Sequence, residues 1–491
     1  MPKTVLSGRI VMLGCGTIGQ CILPMLFEAF EVEAGRITVV EADDHGDFLA
    51  PWRAAGLDYR IEAVTRDNLA TVMAAAAKPG DLLLNLSVGV DSIALADWCH
   101  KHGVLYVDTA LEPWEDVAFD FSLPASQRTE YAFHQRARRQ AAEGWRPDGP
   151  TAVVTHGANP GLVNHFVKAA LLEVAEAEGR GAEAPSDRQG WAALARDLGL
   201  KVVHIAERDT QVTDRPKRPG EFVNTWSIPG FVEEASMLAE IGWGSHEKAL
   251  PAGGREHPEG PRNAIYIERS GGRILLRSWV PLGGPIEGLA ITHNESITIS
   301  DYFTLLEDEG AAEGAGALYR PSVYFVYLAC DAAMASLAET MMRGWEMPAE
   351  QRILNAEITE GRDELGVLLL GDSPGGGDPN DGATWGWWYG SQLDVHEARR
   401  LVPGNNPTAI QVAAGALAGA VWAVRNPNEG YCEPEALPHE EVLAVALPYL
   451  GPMASVATDW TPLEGRGGGV PEPRPDEADP WQFGNFLVTG S

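Results

Sequence analysis

An apolar run, Arg9-Ile10-Val11-Met12-Leu13, passes directly into Gly14-Cys15-Gly16-Thr17-Ile18-Gly19, and this strand opening into G-x-G-x-x-G constrains the fold more than any other stretch. Each glycine has a physical task. Gly14 permits the tight strand-to-helix turn, Gly16 lets backbone amides approach a pyrophosphate, and Gly19 lets the next helix pack closely on the sheet. The helix N-terminus then offers open amides and a positive dipole end to phosphate. A second apolar run, Arg36-Ile37-Thr38-Val39-Val40, ends at Glu41, about 20 residues past the last glycine, where a carboxylate hydrogen-bonds a ribose 2′-hydroxyl. No arginine follows immediately to take a 2′-phosphate. The pattern implies a dinucleotide site for NAD rather than NADP, with Gly14, Gly16, Thr17, Ile18, Gly19 and Glu41 in contact. A glycine-rich turn in another α/β domain is the plain alternative.

The first third alternates strand and helix. Ile10 to Leu13, Ile37 to Val40, Arg60 to Ala63, Asp81 to Leu84, Leu105 to Val107 and Ala152 to Thr155 read as strands, with helices such as Leu69 to Ala77 and Ile93 to His102 between them. This is the rhythm of a doubly wound parallel sheet of the Rossmann kind. Residues at the carboxyl ends of its strands line the ligand crevice, which places Asn85, Leu86, Ser87, Asp108 and Thr109 beside the cofactor. Each is equally an ordinary cap or turn residue. From about Leu171 the rhythm stops. A polar helical segment, Glu173 to Ala184, leads into strands such as Lys201 to Ile205 and Ile274 to Trp279, consistent with a second, α+β domain. The expected division is a cofactor domain over 1–170, a substrate and dimerisation domain over 171–404, and a C-terminal segment over 426–491. Proline and glycine crowd 251–262 and 372–384, which read as loops, the second as disordered.

Charge narrows the partners. Lys and Arg total 37 against 69 Asp and Glu, a net charge of −32. That argues against nucleic acid, which needs a basic surface, and suits cationic substrates steered to an acidic cleft. Acidity also simply keeps a protein soluble. The five cysteines, at 15, 21, 99, 330 and 432, form no C-x-x-C pair and no zinc spacing, so the expectation is a reduced, cytoplasmic protein without metal. The N-terminus lacks the pattern of a signal peptide. Ala409 to Val424, the most apolar stretch, is broken by Gln411 and reads as a buried helix rather than a membrane span.

Several polar groups sit on apolar backgrounds. His156-Gly157-Ala158-Asn159-Pro160-Gly161 follows the sixth strand, with Asn159 placed to cap a helix and Pro160 to start it. The same loop faces a nicotinamide, where an amide could orient a substrate nitrogen. Ile205-Ala206-Glu207-Arg208-Asp209 ends a strand, Asn224-Thr225-Trp226-Ser227-Ile228 alternates like one, and Thr292-His293-Asn294-Glu295-Ser296 interrupts another. Taken singly, Glu207 with Arg208 is a structural ion pair, His293 a core histidine and Trp226 a packing residue. Together in one cleft, the carboxylates and the indole would bind an organic cation.

The chain resembles the bacterial homospermidine synthases, which share the saccharopine dehydrogenase architecture. The resemblance runs from the glycine loop to Asp479-Pro480-Trp481-Gln482-Phe483. It includes Glu112-Pro113-Trp114, Gly157-Ala158-Asn159-Pro160-Gly161, His204-Ile205-Ala206-Glu207-Arg208-Asp209-Thr210-Gln211 and Phe222-Val223-Asn224-Thr225-Trp226-Ser227. Further on come Thr292-His293-Asn294-Glu295-Ser296, Asp363-Glu364-Leu365-Gly366-Val367 and Trp388-Tyr389-Gly390-Ser391-Gln392-Leu393. It implies a cycle in which NAD takes a hydride from putrescine, a second putrescine displaces ammonia from the imine, and the hydride returns to give homospermidine. Spermidine can replace one putrescine, with diaminopropane leaving. It also implies a homodimer. The late helix, 405–425, would pack back on the first domain. By resemblance, Trp226 faces the iminium, Asn159 lies at the nicotinamide edge, and Glu207, Glu234, Glu295, Glu112 and Asp363 hold or orient nitrogens. His293 or a cleft carboxylate would be the base that frees the reacting amine. The segment Asp372 to Thr384 looks longer than the family's.

Two rivals remain open at this point. A net NAD(P)-dependent dehydrogenase making saccharopine or carboxynorspermidine would need arginines for its substrates' carboxylates, where the motifs here offer mostly acids. An inactive NAD sensor would bury those acids at a cost and without use.

Overall fold

The computed structural model describes residues 2–118, 120–181, 183–306, 316–373, 384–466 and 475–488. Seven strands form a first sheet in the spatial order Tyr431–Cys432, Ala152–Val153, Leu105–Asp108, Leu82–Asn85, Ile10–Leu13, Ile37–Glu41, Asp58–Ile61. All pairings are parallel. Ile10–Leu13, Leu82–Asn85 and Leu105–Asp108 are buried throughout, the pattern of strands covered on both faces. Chain order reverses between Ile10–Leu13 and Leu82–Asn85, so the carboxyl ends of these two strands form the switch point where ligands bind. The doubly wound sheet read from the sequence is present, with the third strand two residues earlier. Its seventh strand comes from the C-terminal segment.

The second sheet has ten strands. Its path is Gly254–Glu256, Ala264–Ser270, Leu238–Gly242, Ser322–Leu328, Leu200–Asp209, Arg362–Asp372, Thr384–Asp394, Met453–Thr458. The hairpin Leu275–Val280 and Gly284–Leu289 joins it through Leu289 beside Tyr327. Ser322–Leu328 runs parallel to Leu200–Asp209, and the register sets Glu207 beside Tyr327 on one side and Leu365 on the other. Asp209 pairs with Asp363. Successive side chains on a strand point to opposite faces. Glu207 and Asp209 therefore share a face, while Arg208 turns away to Glu364 at 3.5 Å. The Glu207–Arg208 ion pair does not form.

Two helices join the halves. Leu162–Ala177 runs through residue 170 and packs on Arg362–Asp372 and Thr384–Asp394. The polar stretch Glu173 to Ala184 is thus not a helix of its own. Gly179, at φ +69°, terminates the one already running, and Arg180 N closes on Ala175 O. A new helix, Arg188–Asp197, starts from the Asp187 cap. Pro407–Arg425 is long and apolar enough to cross a membrane, yet it is buried along its length and packs on helix Thr17–Ala29 and strand Leu105–Asp108. A Cβ at Gly415 would stand 1.9 Å from Gly157 O, so only glycine lets this helix reach the 156–161 loop. The region 251–262 includes a short strand, Gly254–Glu256. Most of the expected 372–384 loop, 374–383, lies outside the described residues. Its flanking ends, Asp372 and Thr384, pair at the far end of the sheet from Asp363.

Candidate active site

The glycine loop is shaped for phosphate. Gly14 takes φ +94°, and a Cβ there would meet Leu86 C at 2.6 Å; at Gly19 it would meet Gly14 O at 2.6 Å. At Gly16 the same test finds nothing within 4 Å. Helix Thr17–Ala29 starts at Gly16 with no side chain on its first amides. Open amides, a dipole end and a vacant Cβ position are what a pyrophosphate needs. Glu41 accepts from Cys15 N and, at 2.7 Å, from Ala42 N, which holds its carboxylate against the loop. Asn85 accepts from Ser87 Oγ at 2.6 Å and donates to Tyr106 Oη at 3.1 Å, setting the turn through Leu86. Asn85, Leu86 and Ser87, with Ile18 and Thr109, line a cavity at this crevice. Asp108 does not. It is buried, accepts from Tyr106 Oη at 2.7 Å and Thr155 N at 2.6 Å, and burial pushes its carboxyl up to about 7. Its side chain tethers the neighbouring strands, and the next residue, Thr109, faces the cavity.

The cavity continues from this crevice to the second sheet. Its described lining holds five glutamates (Glu112, Glu130, Glu207, Glu233 and Glu234) and no lysine or arginine. Glu207 is 4% exposed and accepts from Asn159 Nδ2 at 3.1 Å. Burial, then Asp363 and Asp209, push its carboxyl well above the usual range. Asp209 accepts from Thr225 Oγ1 and Gln211 N, both at 2.8 Å, and burial takes it to about 6. Asp363 lies behind them, bonded to Thr408 Oγ1 and raised by burial and Asp209. Trp226 Nε1 donates to Tyr327 Oη at 3.2 Å, and its ring packs on Phe231 at 5.7 Å. The stretch 224–228 is not a strand: Glu221–Asn224 ends before Trp226, and Ser227 caps helix Ile228–Ser236, accepting from Gly230 N at 3.2 Å.

Opposite stands His293, at the start of helix Asn294–Tyr302 rather than inside a strand. Its Nδ1 lies 3.0 Å from Glu295 Oε2 and its Nε2 3.3 Å from Glu234 Oε2. Burial would lower its pKa, but Glu295 and Glu234 overcome this and hold it well above the usual value. Both ring nitrogens of His293 are therefore engaged by carboxylates, and the imidazole bridges Glu295 and Glu234. Glu295 is fully buried and reaches the cavity only through His293. Burial and Glu233 push Glu112 up to about 8, where it accepts from Gly89 N at 3.4 Å.

Residues 10–153 match the saccharopine dehydrogenase NADP binding domain, and residues 157–458 the saccharopine dehydrogenase C-terminal domain. The homospermidine synthase of Mesorhizobium japonicum is 41% identical over 98% of this chain and 97% of its own. That of Blastochloris viridis is 42% identical over 98% of both. The chain belongs to the homospermidine synthase family. The homospermidine synthase of Legionella pneumophila, solved in complex with NAD, has the same fold, with a TM-score of 0.88 at 38% identity over 100% of this chain and 99% of that one.

Within this homospermidine synthase fold, the expected residues Glu112, Asn159, Glu207, Trp226, Glu234 and His293 meet in one cavity, and Glu295 and Asp363 stand just behind it. Asn159 is not a helix cap. Gly161, at φ +122°, takes that place, with Asn164 Oδ1 accepting from Gly161 N at 2.8 Å, which frees the Asn159 amide for Glu207. Sequence reasoning missed Glu130, Glu233, Phe325 and Tyr327. Glu130 follows a Thr129 cap and reads as an ordinary first-turn acid, and the two aromatics lie in an apolar strand, where nothing marks a cavity wall.

Proposed function

We propose that this enzyme transfers an aminobutyl group from putrescine, or from spermidine, to putrescine, giving homospermidine and releasing ammonia or diaminopropane. The observation that carries this reading is the cavity wall: among the described residues, five glutamates and an indole, without arginine or lysine, opening on the glycine-loop crevice. A saccharopine- or carboxynorspermidine-forming dehydrogenase would need cationic partners for its substrates' carboxylates. The vacant Cβ position at Gly16 and the uncapped amides of its helix fit a dinucleotide, and Glu41, followed by Asp43 and Asp44, would repel a 2′-phosphate, which favours NAD. Bound there, NAD takes a hydride from the amine-bearing carbon and returns it after the exchange.

The chain's own residues prepare that carbon. An ammonium cannot release a hydride, because no lone pair is available to stabilise the resulting cation. Glu207, raised by burial and two neighbouring acids, is suited to take the proton and later return it. Asn159, 3.1 Å from Glu207, orients the reacting nitrogen. The Trp226 ring stabilises the iminium through its face. Glu234, steered by the His293–Glu295 pair, and Glu112 hold the distal ammonium. Donor and product are at the same oxidation level, so the reaction is a group transfer. We further read the chain as cytoplasmic and as meeting neither nucleic acid nor membrane, which its five free cysteines and net charge of −32 support, and, from the family resemblance alone, as a homodimer.

The test is product analysis by mass spectrometry of pure protein with putrescine and substoichiometric NAD⁺, with and without spermidine. Homospermidine in excess of the NAD⁺ supplied, without accumulating NADH, is the expected result. Stoichiometric NADH with no homospermidine would move the enzyme to the dehydrogenase class.

A further inference from the structure

One carboxylate outside the cavity ties two of its walls together. Glu240, on strand Leu238–Gly242, is 1% exposed. Its Oε2 accepts from Glu130 N at 2.6 Å and Thr292 Oγ1 at 2.9 Å, and its Oε1 accepts from Tyr131 N at 3.1 Å. The two amides open helix Glu130–Gly144, whose next amide, Ala132 N, goes to Thr129 Oγ1 at 3.2 Å. A carboxylate on first-turn amides also faces the positive end of the helix dipole. His257 closes the arrangement, with Nε2 3.6 Å from Glu240 Oε1 and its ring stacked on Tyr131 at 3.9 Å. A residue of the second sheet thus accepts from the two first amides, alongside the Thr129 cap, of a helix that belongs to the first half of the chain.

The consequences meet in the cavity. Glu130, the first residue of that helix, lines it and accepts from Asn294 Nδ2. Thr292 precedes His293, the partner of Glu234. One carboxylate therefore fixes the Glu130 wall against the His293–Asn294 wall. A helix cap needs only an exposed Ser, Thr, Asp or Asn at the helix start. Here Thr129 already fills that role, so a buried acid reaching across 110 positions of sequence must do more than cap.

We propose that Glu240 is a positioning residue, setting Glu130 as a ligand for the substrate ammonium remote from the reacting carbon. This rests on the reading of the cavity as a diamine site. It would add Glu130 to the groups that decide how tightly, and at what chain length, a polyamine is held.

The experiment compares Glu240→Gln and Glu130→Gln in the full-length, NAD-loaded enzyme. It uses steady-state homospermidine formation, calorimetric titration with putrescine, and thermal unfolding. In Glu240→Gln the putrescine KM and dissociation constant are expected to rise about tenfold with kcat changed less than threefold. Glu130→Gln should reproduce that rise, and the double variant should be little worse than either single one, as for residues acting through one contact. A lower melting temperature with unchanged KM in Glu240→Gln would make it a merely structural cap and overturn the proposal. If Glu240→Gln does not fold, Glu130→Gln decides, because it leaves the backbone amides on Glu240, and an unchanged KM there overturns the proposal as well. Wild-type protein that neither binds nor converts putrescine would overturn the diamine reading itself, a result distinct from variants that match an active wild type.

Discussion

Two buried charge clusters in this molecule are built in opposite ways. Where helix Glu130–Gly144 meets the C-terminal segment, Arg138 donates to both oxygens of Glu433 at 2.7 Å and reaches Asp301 at 3.0 Å. Burial would raise the Glu433 carboxyl, but Arg138 and His134 pull it well below the usual range. At the ends of Leu200–Asp209 and Arg362–Asp372, Glu207, Asp209 and Asp363 share one face with no arginine or lysine among them; burial pushes all three up, and repulsion from neighbouring acids adds to it at Glu207 and Asp363. The first cluster is complete as folded. The second has no cation of its own, and on the proposed reading a substrate amine at Glu207 would supply one.

The largest test of this contrast removes charge from the second cluster. Glu207→Gln keeps the shape and the Asn159 contact but cannot take a proton. Homospermidine formation is expected to fall ~10²–10⁴-fold, the usual worth of a positioned base, while NAD affinity stays within about threefold, the margin expected of a group remote from the glycine loop. Turnover within threefold of wild type would remove Glu207 from the chemistry.

The mirror experiment breaks the completed cluster. Arg138→Met takes the two-point partner from Glu433, leaving it His134, while Asp301 keeps Arg188 at 3.1 Å, and a loss of ~3 kcal/mol in unfolding free energy is expected by chemical denaturation. Replacing Glu433 by Gln in the same chain should recover part of it. Turnover per folded molecule should hold, since Arg138 lies outside the cavity. A stable Arg138→Met variant with weakened putrescine binding would reverse the assignment of the two clusters.

Trp226 gives a smaller, graded effect. A desolvated cation–π contact is worth about 2 kcal/mol, so Trp226→Leu should cost ~30-fold in kcat/KM. Trp226→Phe, which keeps a ring but loses the bond to Tyr327, should fall between. Equal losses in both variants would mean that the indole packs and does not bind charge.

What was legible in the sequence follows the reach of the interactions. The glycine loop and Glu41 depend on neighbours within one βαβ unit, so the chain order spells them out, and the parallel sheet follows from the same local alternation. Resemblance supplied Glu207, Trp226, Asn159 and the remaining acids as positions. It could not supply their states. Whether His293 is a base depends on Glu234, 59 residues away on another helix, and on Glu295 beside it. Asp108 obeys the strand-end rule in its backbone but not in its side chain, which Tyr106 and Thr155 claim. Asn159 before Pro160 carries the local signature of a cap, yet Gly161 wins because its positive φ lets the chain fold back onto Gly157. Local propensity could not see that contact, nor the carboxylate of Glu240 behind Glu130.

The last expected effect is a pH dependence whose sign differs between the cavity and the completed cluster. Burial and Glu233 take Glu112 to about 8, against about 4.3 in an unfolded chain. Between these values the native state keeps a proton that the unfolded state has lost, so ligand-free stability falls as pH rises through the window and levels off above it. The slope from one such group is at most about 1.4 kcal/mol per pH unit. Glu433 has the opposite sign: its stabilisation is already full above the ordinary carboxylate range and is lost only in acid. Putrescine, a dication, favours the ionised form of Glu112, so the rise in melting temperature that it produces should grow from pH 6 to pH 8. Glu112→Gln should flatten both the ligand-free slope and this growth. A putrescine effect independent of pH in wild type, or unchanged in Glu112→Gln, would place the diamine's distal ammonium elsewhere in the cavity.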